Sequence, residues 1–394
     1  MGHCDLEVGE KIAAKVEAFV RNEVVPYEAD SRRHDGHGPS DGLIGELRAK
    51  ARAAGVLTPH IGEQGDHLSH RATAIVLQRA GLSPLGPLAL NVMAPDEGNM
   101  YLLGKVGRPE QKERFLRHLI SGNARSAFLM TEPAKDGGAG SDPSMMKTVA
   151  RRDGSGWEIS GTKAFITGIK GASVGILMAR TDAGSDTTAA TMFLVDLPHP
   201  AVRIERLIDT IDSASPGGHA VVTIDKLRVS DEQILGAPHE GFRYAQVRLA
   251  PARLTHCSRW LGAAQRAHEI ATGYATTRSA FGKLLIDHEG VGFMLADNLI
   301  ALKQAELTID WCAGVLDSGE LGTVESSMAK VAVSEALFQV ADRCVQMMGG
   351  KGVSGDAVVE QVFREIRAFR IYDGPTEVHK WSLAKTIKRR AMAV

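Results

Sequence analysis

The hydrophobic period of this 394-residue chain changes twice, and that double change limits what it can fold into. From residue 6 to about 125, apolar residues recur at helical spacing: Ile12, Val16, Phe19 and Val20, then Leu43 and Leu47, then Ile75, Leu77 and Ala80. Near Phe128 the pattern shortens to β-type runs at 157–163, 174–180, 191–195 and 221–224, divided by Gly, Asp and Pro turns. From Gly241 helical spacing returns. Leu295, Leu299, Leu302, Ala305, Ile309 and Leu316 form one apolar stripe, and a further helix is expected from about Val324 to Met348. Pro251 should kink or restart the first of these helices. The expected fold is α+β: an N-terminal helical domain over 1–127, a small middle β-barrel or sandwich over 128–236, and a C-terminal four-helix bundle over 237–394.

With 44% apolar residues over this length, two or three substantial cores can form. A formal net charge of -1 without a basic tract argues against a nucleic-acid or membrane-surface role. Cys4, Cys257, Cys312 and Cys344 have neither metal spacing nor the pattern of a disulfide framework, which suits a reducing compartment. The N-terminus is charged and amphipathic, unlike a signal peptide, and no apolar run reaches membrane-spanning length. A soluble cytoplasmic protein is expected; the mitochondrial matrix applies to a eukaryotic source, although no clear transit peptide stands out.

Among short motifs, 370–380 (RIYDGPTEVHK) puts a lone carboxylate, Asp373, between bulky residues and a Gly-Pro turn, with a helical segment after it. Read locally, this is either a ligand-facing acid or a solvated helix corner. The glycine-rich loop 136–142 can offer N–H groups to a pyrophosphate but lacks the lysine of a P-loop; alone it reads as a flexible loop. Residues 350–355 (GKGVSG) match GxGxxG formally, yet they follow a helix, so the Rossmann reading is rejected. His60, His67 and His70 fall in a stretch of turn composition and are expected to be solvated loop histidines rather than metal ligands. The phrase APDEGNM (94–100) interrupts the helical pattern with polar groups.

Seven collinear segments give the order meaning: FLMTEP (128–133), GAGSD (138–142), GTKAFITG (161–168), RSAFGKLLIDHEGVGFMLAD (278–297), SSMAKVAVSEA (326–336), VQMMGGKGV (345–353) and IYDGPTEVHK (371–380). Together they resemble the acyl-CoA dehydrogenases over nearly the whole chain. APDEGNM, ARLTHCSRWLG (252–262) and DGPTEVHK are most similar to the branch whose larger members carry a fused kinase-like domain. The resemblance implies FAD between the β domain and the bundle. Met130, Thr131, Phe165 and Thr167 would face the flavin, with Phe165 standing where Trp is frequent. Gly140 and Ser141 would meet the pyrophosphate. Arg278 and Phe281, with Gln346 and Gly350 nearby, would hold the FAD of a neighbouring subunit, and Glu377 would reach its adenine end. A bidentate guanidinium suits phosphate oxygens. Two departures stand out: the loop 134–137 lengthens the TEP-to-GSD spacing, and Pro375 replaces a Thr that touches FAD in many relatives.

The resemblance also implies the chemistry. A base removes the α-proton of an acyl-CoA thioester while the β-hydrogen leaves as hydride to flavin N5, giving the trans-2-enoyl-CoA, a step of β-oxidation. Asp373 holds the base position, where Glu is commoner, and its side chain is shorter by about 1.5 Å. Ala252 fills the alternative base position and cannot serve. A backbone N–H beside the base polarises the thioester oxygen. Ser141, Arg253, Tyr372 and Gly374 are the expected acyl-CoA contacts. Burial should raise the pKa of Asp373. An electron-transfer flavoprotein is the expected electron acceptor, and a homotetramer built as a dimer of dimers the expected assembly. A nitroalkane oxidase-like flavin oxidase using the same Asp is the alternative, and a non-catalytic scaffold a further one. Asp96 and Asn99 either meet a polar, hydroxylated acyl chain or act structurally, Asp96 capping a helix that begins near Gly98.

Overall fold

The computed structural model describes residues 2–134, 142–181 and 189–392. The N-terminal part is helical: α1 (Gly2–Phe19), α2 (Asp41–Ala53), α3 (His70–Ala80), α4 (Gly86–Ala89), α5 (Asp96–Val106), α6 (Pro109–Gln111) and α7 (Arg117–Ile120). The hydroxyls of Ser40 and Ser69 accept from the N–H groups of Leu43 and Ala72, satisfying donors that the first turns of α2 and α3 leave open. Val16, Phe19, Val20, Leu43, Leu47, Leu77 and Ala80 close one core, as their spacing requires. The stretch 94–100 does not interrupt a helix. Most of it is the start of α5, with Asp96, Glu97 and Asn99 all buried.

Seven strands follow: β1 (Ser126–Leu129), β2 (Val149–Asp153), β3 (Gly156–Thr167), β4 (Val174–Thr181), β5 (Ala190–Asp196), β6 (Val202–Ile208) and β7 (His219–Ser230). They form one curled sheet in the order β1-β4-β2-β3-β7-β6, with β5 on β4. β4 and β5 are buried on both faces, which explains their unbroken apolar runs. One face carries Leu177, Phe193 and Val195 into the sheet's own core; the other packs Ile176, Met192 and Leu194 against Met100, Leu103 and Phe115 of the N-terminal helices. The register of β3 against β7 shifts between Lys163 and Ile166. Such a bulge re-aims a side chain. Phe165, at φ +56, is the side chain re-aimed here.

The C-terminal part holds α8 (Gly241–Thr277), the hairpin β8 (Ser279–Ala280) and β9 (Lys283–Leu284), α9 (Glu289–Asp317), α10 (Thr323–Met348), α11 (Val359–Phe369) and α12 (Thr376–Met392). α8 to α11 share a core that includes Leu254, Leu261, Leu302, Ile309, Val333, Leu337, Val362 and Phe369. α8 runs through Pro251 as one helix, so it does not restart there. Leu299 also departs from the expected stripe: it is exposed, on a face of α9 with Phe293, Ile300, Leu307 and Trp311.

Contact between α3 and α8 is backbone-close. A Cβ at Gly81 would meet the Arg259 carbonyl oxygen at 1.9 Å, and one at Gly262 would meet that of Gln78 at 1.9 Å. This fixes the middle of α8 against the N-terminal helices, so polar residues there can meet Glu97. Among the described residues no helix is long and apolar enough to cross a membrane, and no His/Cys/Asp/Glu group could hold a metal ion. His60 is not a solvated loop histidine. It is buried with neither ring nitrogen hydrogen-bonded, and burial pushes its pKa down to about 4.

Candidate active site

The turn between α11 and α12 is held from behind. Arg253 Nε donates to the Asp373 carbonyl (3.2 Å), His379 Nε2 donates to the same oxygen (3.1 Å), and Lys330 Nζ donates to the Gly374 carbonyl (2.8 Å). Asp373 and Gly374 both have positive φ, +52 and +103. A Cβ at Gly374 would meet His379 Nε2 at 2.5 Å, so glycine is required there by fit as well as by conformation. With the carbonyls clamped inward, neither the Asp373 nor the Gly374 N–H has a protein acceptor among the described residues. Those N–H groups are available to a ligand oxygen beside the carboxylate.

The Asp373 side chain is largely buried. Its Oδ2 lies 3.3 Å from His256 Nε2, off the line of a good hydrogen bond, and has no other partner among the described residues. Burial acts to raise its pKa, as the sequence suggests. The His256 contact and the guanidinium charges of Arg248 and Arg253 act oppositely and prevail, so the carboxyl is held well below the usual carboxylate range. The expectation of a raised pKa is therefore corrected: the positive groups come from α8, more than a hundred residues away in sequence.

The other expected acyl-CoA contacts have additional partners. Arg253 is buried and occupied with the turn carbonyl, with Ser326 Oγ at 3.5 Å. Tyr372 turns its ring onto His256 (centroids 4.9 Å apart), and its hydroxyl accepts from Trp260 Nε1. Gly140 and Ser141 lie outside the described residues, as do 135–137 of the lengthened loop.

On the sheet side, Thr131 and Ala164 are tied by Thr131 Oγ1 to the Ala164 carbonyl (2.6 Å) and the Ala164 N–H to the Thr131 carbonyl (2.9 Å). Lys163 Nζ donates to the Met130 carbonyl (3.0 Å) and to Glu132 (2.9 Å). Phe165 is 61% exposed. Thr167 Oγ1 meets His219 Nδ1 at 2.9 Å, while His219 Nε2 donates to the Asp212 carboxylate at 2.8 Å. Arg278, Phe281, Gln346, Gly350 and Glu377 are exposed, and none has a hydrogen bond or ring contact to the Asp373 turn. Phe281 is 96% exposed at the tip of the β8–β9 hairpin. The exposed Phe165 and Phe281 rings, with the Arg278 guanidinium and the turn N–H groups that have no hydrogen-bond partner among the described residues, offer the ring faces and donors that a planar, phosphate-bearing ligand takes.

Sequence reading missed Arg248, His256, Arg259 and Glu97. All four are buried. Arg248 Nε donates to Asn99 Oδ1 (2.9 Å), and its guanidinium lies 4.1 Å over the Phe128 ring. The available signal was Arg253, His256 and Arg259 at three-residue spacing in α8, which puts three basic groups on one face. Asp96 is neither a cap nor left unpaired: it accepts from Ser126 N (2.6 Å) and Oγ (2.7 Å), and Asn99 Nδ2 donates to the same hydroxyl (2.9 Å).

Three family models for acyl-CoA dehydrogenase match the chain: the N-terminal domain over residues 7–123, the middle domain over 127–216 and the C-terminal domain over 239–388. A probable acyl-CoA dehydrogenase, FadE2, of Mycobacterium tuberculosis is 34% identical, covering 88% of this chain and 87% of its own. The chain belongs to the acyl-CoA dehydrogenase family. Acyl-CoA dehydrogenase family member 11 of Gallus gallus is 32% identical over 96% of this chain, and a putative acyl-CoA dehydrogenase from Mycobacterium abscessus superposes with a TM-score of 0.87 at 33% identity, covering 97% of this chain and 98% of its own. The chain spans 50% of the Gallus gallus protein and 36% of family member 10 of Mus musculus. Acyl-CoA dehydrogenases are FAD oxidoreductases, and FAD is their characteristic cofactor.

Proposed function

We propose that this acyl-CoA dehydrogenase removes the α-proton of an acyl-CoA thioester with Asp373 and yields the trans-2-enoyl-CoA. FAD, when bound, supplies the acceptor for the β-hydride. The observation that carries the reading is a buried carboxylate oxygen beside two N–H groups that have no acceptor among the described residues, all on one clamped turn. Asp373 takes the proton; the Asp373 and Gly374 N–H groups bind the thioester oxygen and spread the developing charge. Arg253, His379 and Lys330 keep the turn carbonyls from facing that oxygen. Met130, Thr131, Phe165 and Thr167 would hold the flavin end, and Arg278, Phe281, Gln346, Gly350 and Glu377 of a neighbouring copy its adenosine end, with Gly140 and Ser141 at the phosphates. Ser141, Arg253 and Tyr372 would line the acyl-CoA path. An electron-transfer flavoprotein is the proposed acceptor. The bare apolar face of α9 supports an oligomer.

Anaerobic flavin bleaching across straight-chain acyl-CoAs, from butyryl to palmitoyl, tests the reading. Bleaching with slow reoxidation in air supports the dehydrogenase. Rapid reoxidation by air supports the oxidase, and a colourless protein that cannot take up FAD supports the scaffold.

A second reading adds an oxygen-bearing acyl chain, and Arg248 favours it rather than Asp96 or Asn99. Among the described residues its Nη atoms have no hydrogen-bond partner, and its charge acts on Asp373. A preference for γ-hydroxylated over plain acyl-CoA that disappears in Arg248→Met would support it; equal rates in wild type would end it.

A further inference from the structure

One polar chain in the interior is unused by the mechanism so far. It runs from Glu97 of α5 through Arg259 and His256 of α8 to Asp373. Glu97 Oε2 lies 3.4 Å from Arg259 Nη1 and also accepts from Thr255 Oγ1 (2.7 Å). Arg259 Nη1 donates to the Val92 carbonyl (2.9 Å), and Nη2 lies 3.1 Å from His256 Nδ1. Opposite, His256 Nε2 faces Asp373 Oδ2.

Directionality follows from the donor inventory. A guanidinium has donors only, so His256 Nδ1 must accept from Arg259. The neutral ring then carries its hydrogen on Nε2, pointing at the carboxylate. This Nε2–H, 3.3 Å away, thus faces a buried carboxylate oxygen that has no hydrogen-bond partner among the described residues. We propose that His256 is a positioning residue for the Asp373 base: its Nε2–H orients the carboxylate and keeps it ionised, with Arg259 and Glu97 fixing the tautomer from behind. The inference rests on Asp373 being the α-proton base. It excludes a relay: once Asp373 holds the substrate proton, His256 cannot take it, because Nε2 is already protonated and Nδ1 is closed by Arg259.

The groups around this chain favour the assignment. Arg248 and Arg253 on α8 act on Asp373 from one side, Lys330 of α10 stands behind the turn, and His379 of α12 and Tyr372 close it. Burial and the Arg259 charge keep His256 below its ordinary pKa, so the ring is neutral near neutral pH and donates without carrying a charge of its own. His60 borders Glu97 and Arg259 and is neutral as well.

The experiment uses FAD-loaded wild type, His256→Leu and His256→Gln. Glutamine keeps an N–H donor near the Nε2 position and leucine does not. Anaerobic bleaching by the best acyl-CoA of the panel is followed between about pH 5 and 8, so that a rise in the Asp373 pKa on loss of its donor is read as a loss of rate at the acid end. Wild type should keep its rate into the acid range. His256→Leu should lose about 10–100-fold at the acid end, the rate returning as pH rises, and His256→Gln should restore the wild-type profile. Infrared difference spectra, with Asp373→Asn assigning the band, should show no Asp373 carboxylic-acid signal in wild type at about pH 5 and a signal in His256→Leu. A wild-type signal at that pH, an unshifted profile in His256→Leu, or His256→Gln as impaired as leucine would each overturn the proposal. The wild-type spectrum can overturn the proposal even if the leucine variant fails to fold. It needs no substrate, so failure of every acyl-CoA to bleach the flavin would strike the dehydrogenase reading and leave the infrared answer standing.

Discussion

Arg253 Nε donates to the main-chain carbonyl of Asp373 across 3.2 Å, so the turn that presents the carboxylate is fixed by a buried cation on another helix. The same guanidinium lowers the pKa of the carboxyl it holds in place. Position and ionisation of the candidate base thus share Arg253, although His256 and Arg248 act more strongly on the ionisation. A base kept ionised in this way depends on geometry rather than on a raised pKa.

Replacing the carboxylate isolates its role. Asp373→Asn should keep yellow FAD and lose acyl-CoA-dependent bleaching by about 10²–10⁴-fold, the contribution of a positioned base. Stopped-flow bleaching measures this, and near-normal rates in the variant would remove Asp373 from the mechanism.

Lys330 gives a pH signature in stability. Burial pushes its ammonium down to about 8, against 10.5 for an ordinary lysine. Between those values the unfolded chain binds more protons than the folded one, so the Lys330 contribution rises with pH across that window and is least favourable below it. Wild type should therefore gain on Lys330→Met by on the order of 2 kcal/mol as pH goes from about 8 to 10. Urea unfolding at both ends of the window checks the sign.

Phe281 and Arg278 bear on assembly. An aromatic ring 96% exposed at a hairpin tip has little stabilising role in one chain. Light scattering should return a homo-oligomer, a dimer of dimers, and Arg278→Ala should bind FAD about 10–100-fold more weakly, as loss of a charge-assisted phosphate contact implies. A monomer that still holds stoichiometric FAD would contradict the shared site.

Asp96→Ala should destabilise by about 1–3 kcal/mol, because the Ser126 N–H and hydroxyl lose a buried acceptor. The ratio of rates on plain and γ-hydroxylated acyl-CoAs should not move, since Asp96 is spent on β1. A changed ratio would return Asp96 to the acyl pocket.

Local periodicity was enough to read the fold class. Helical spacing through Val16, Leu43 and Leu77, β-type runs over 174–195 and a second helical region each follow from local periodicity, which binds neighbours in sequence and needs no distant partner. The sequence also set Asp373 and Gly374 in a turn. What tertiary structure decided is the state of the polar groups buried between those elements. Asp96, Glu97 and Asn99 read as a polar break, yet they belong to α5 because Ser126, Thr255, Arg248 and Arg259 arrive to pair with them. The pKa of Asp373 fell rather than rose for the same reason: burial is a local tendency, whereas the opposing charges come from α8, brought into contact only by folding. Local pattern says where a polar residue sits along a helix. Only the packed structure says which partner satisfies it, because that partner lies on another element.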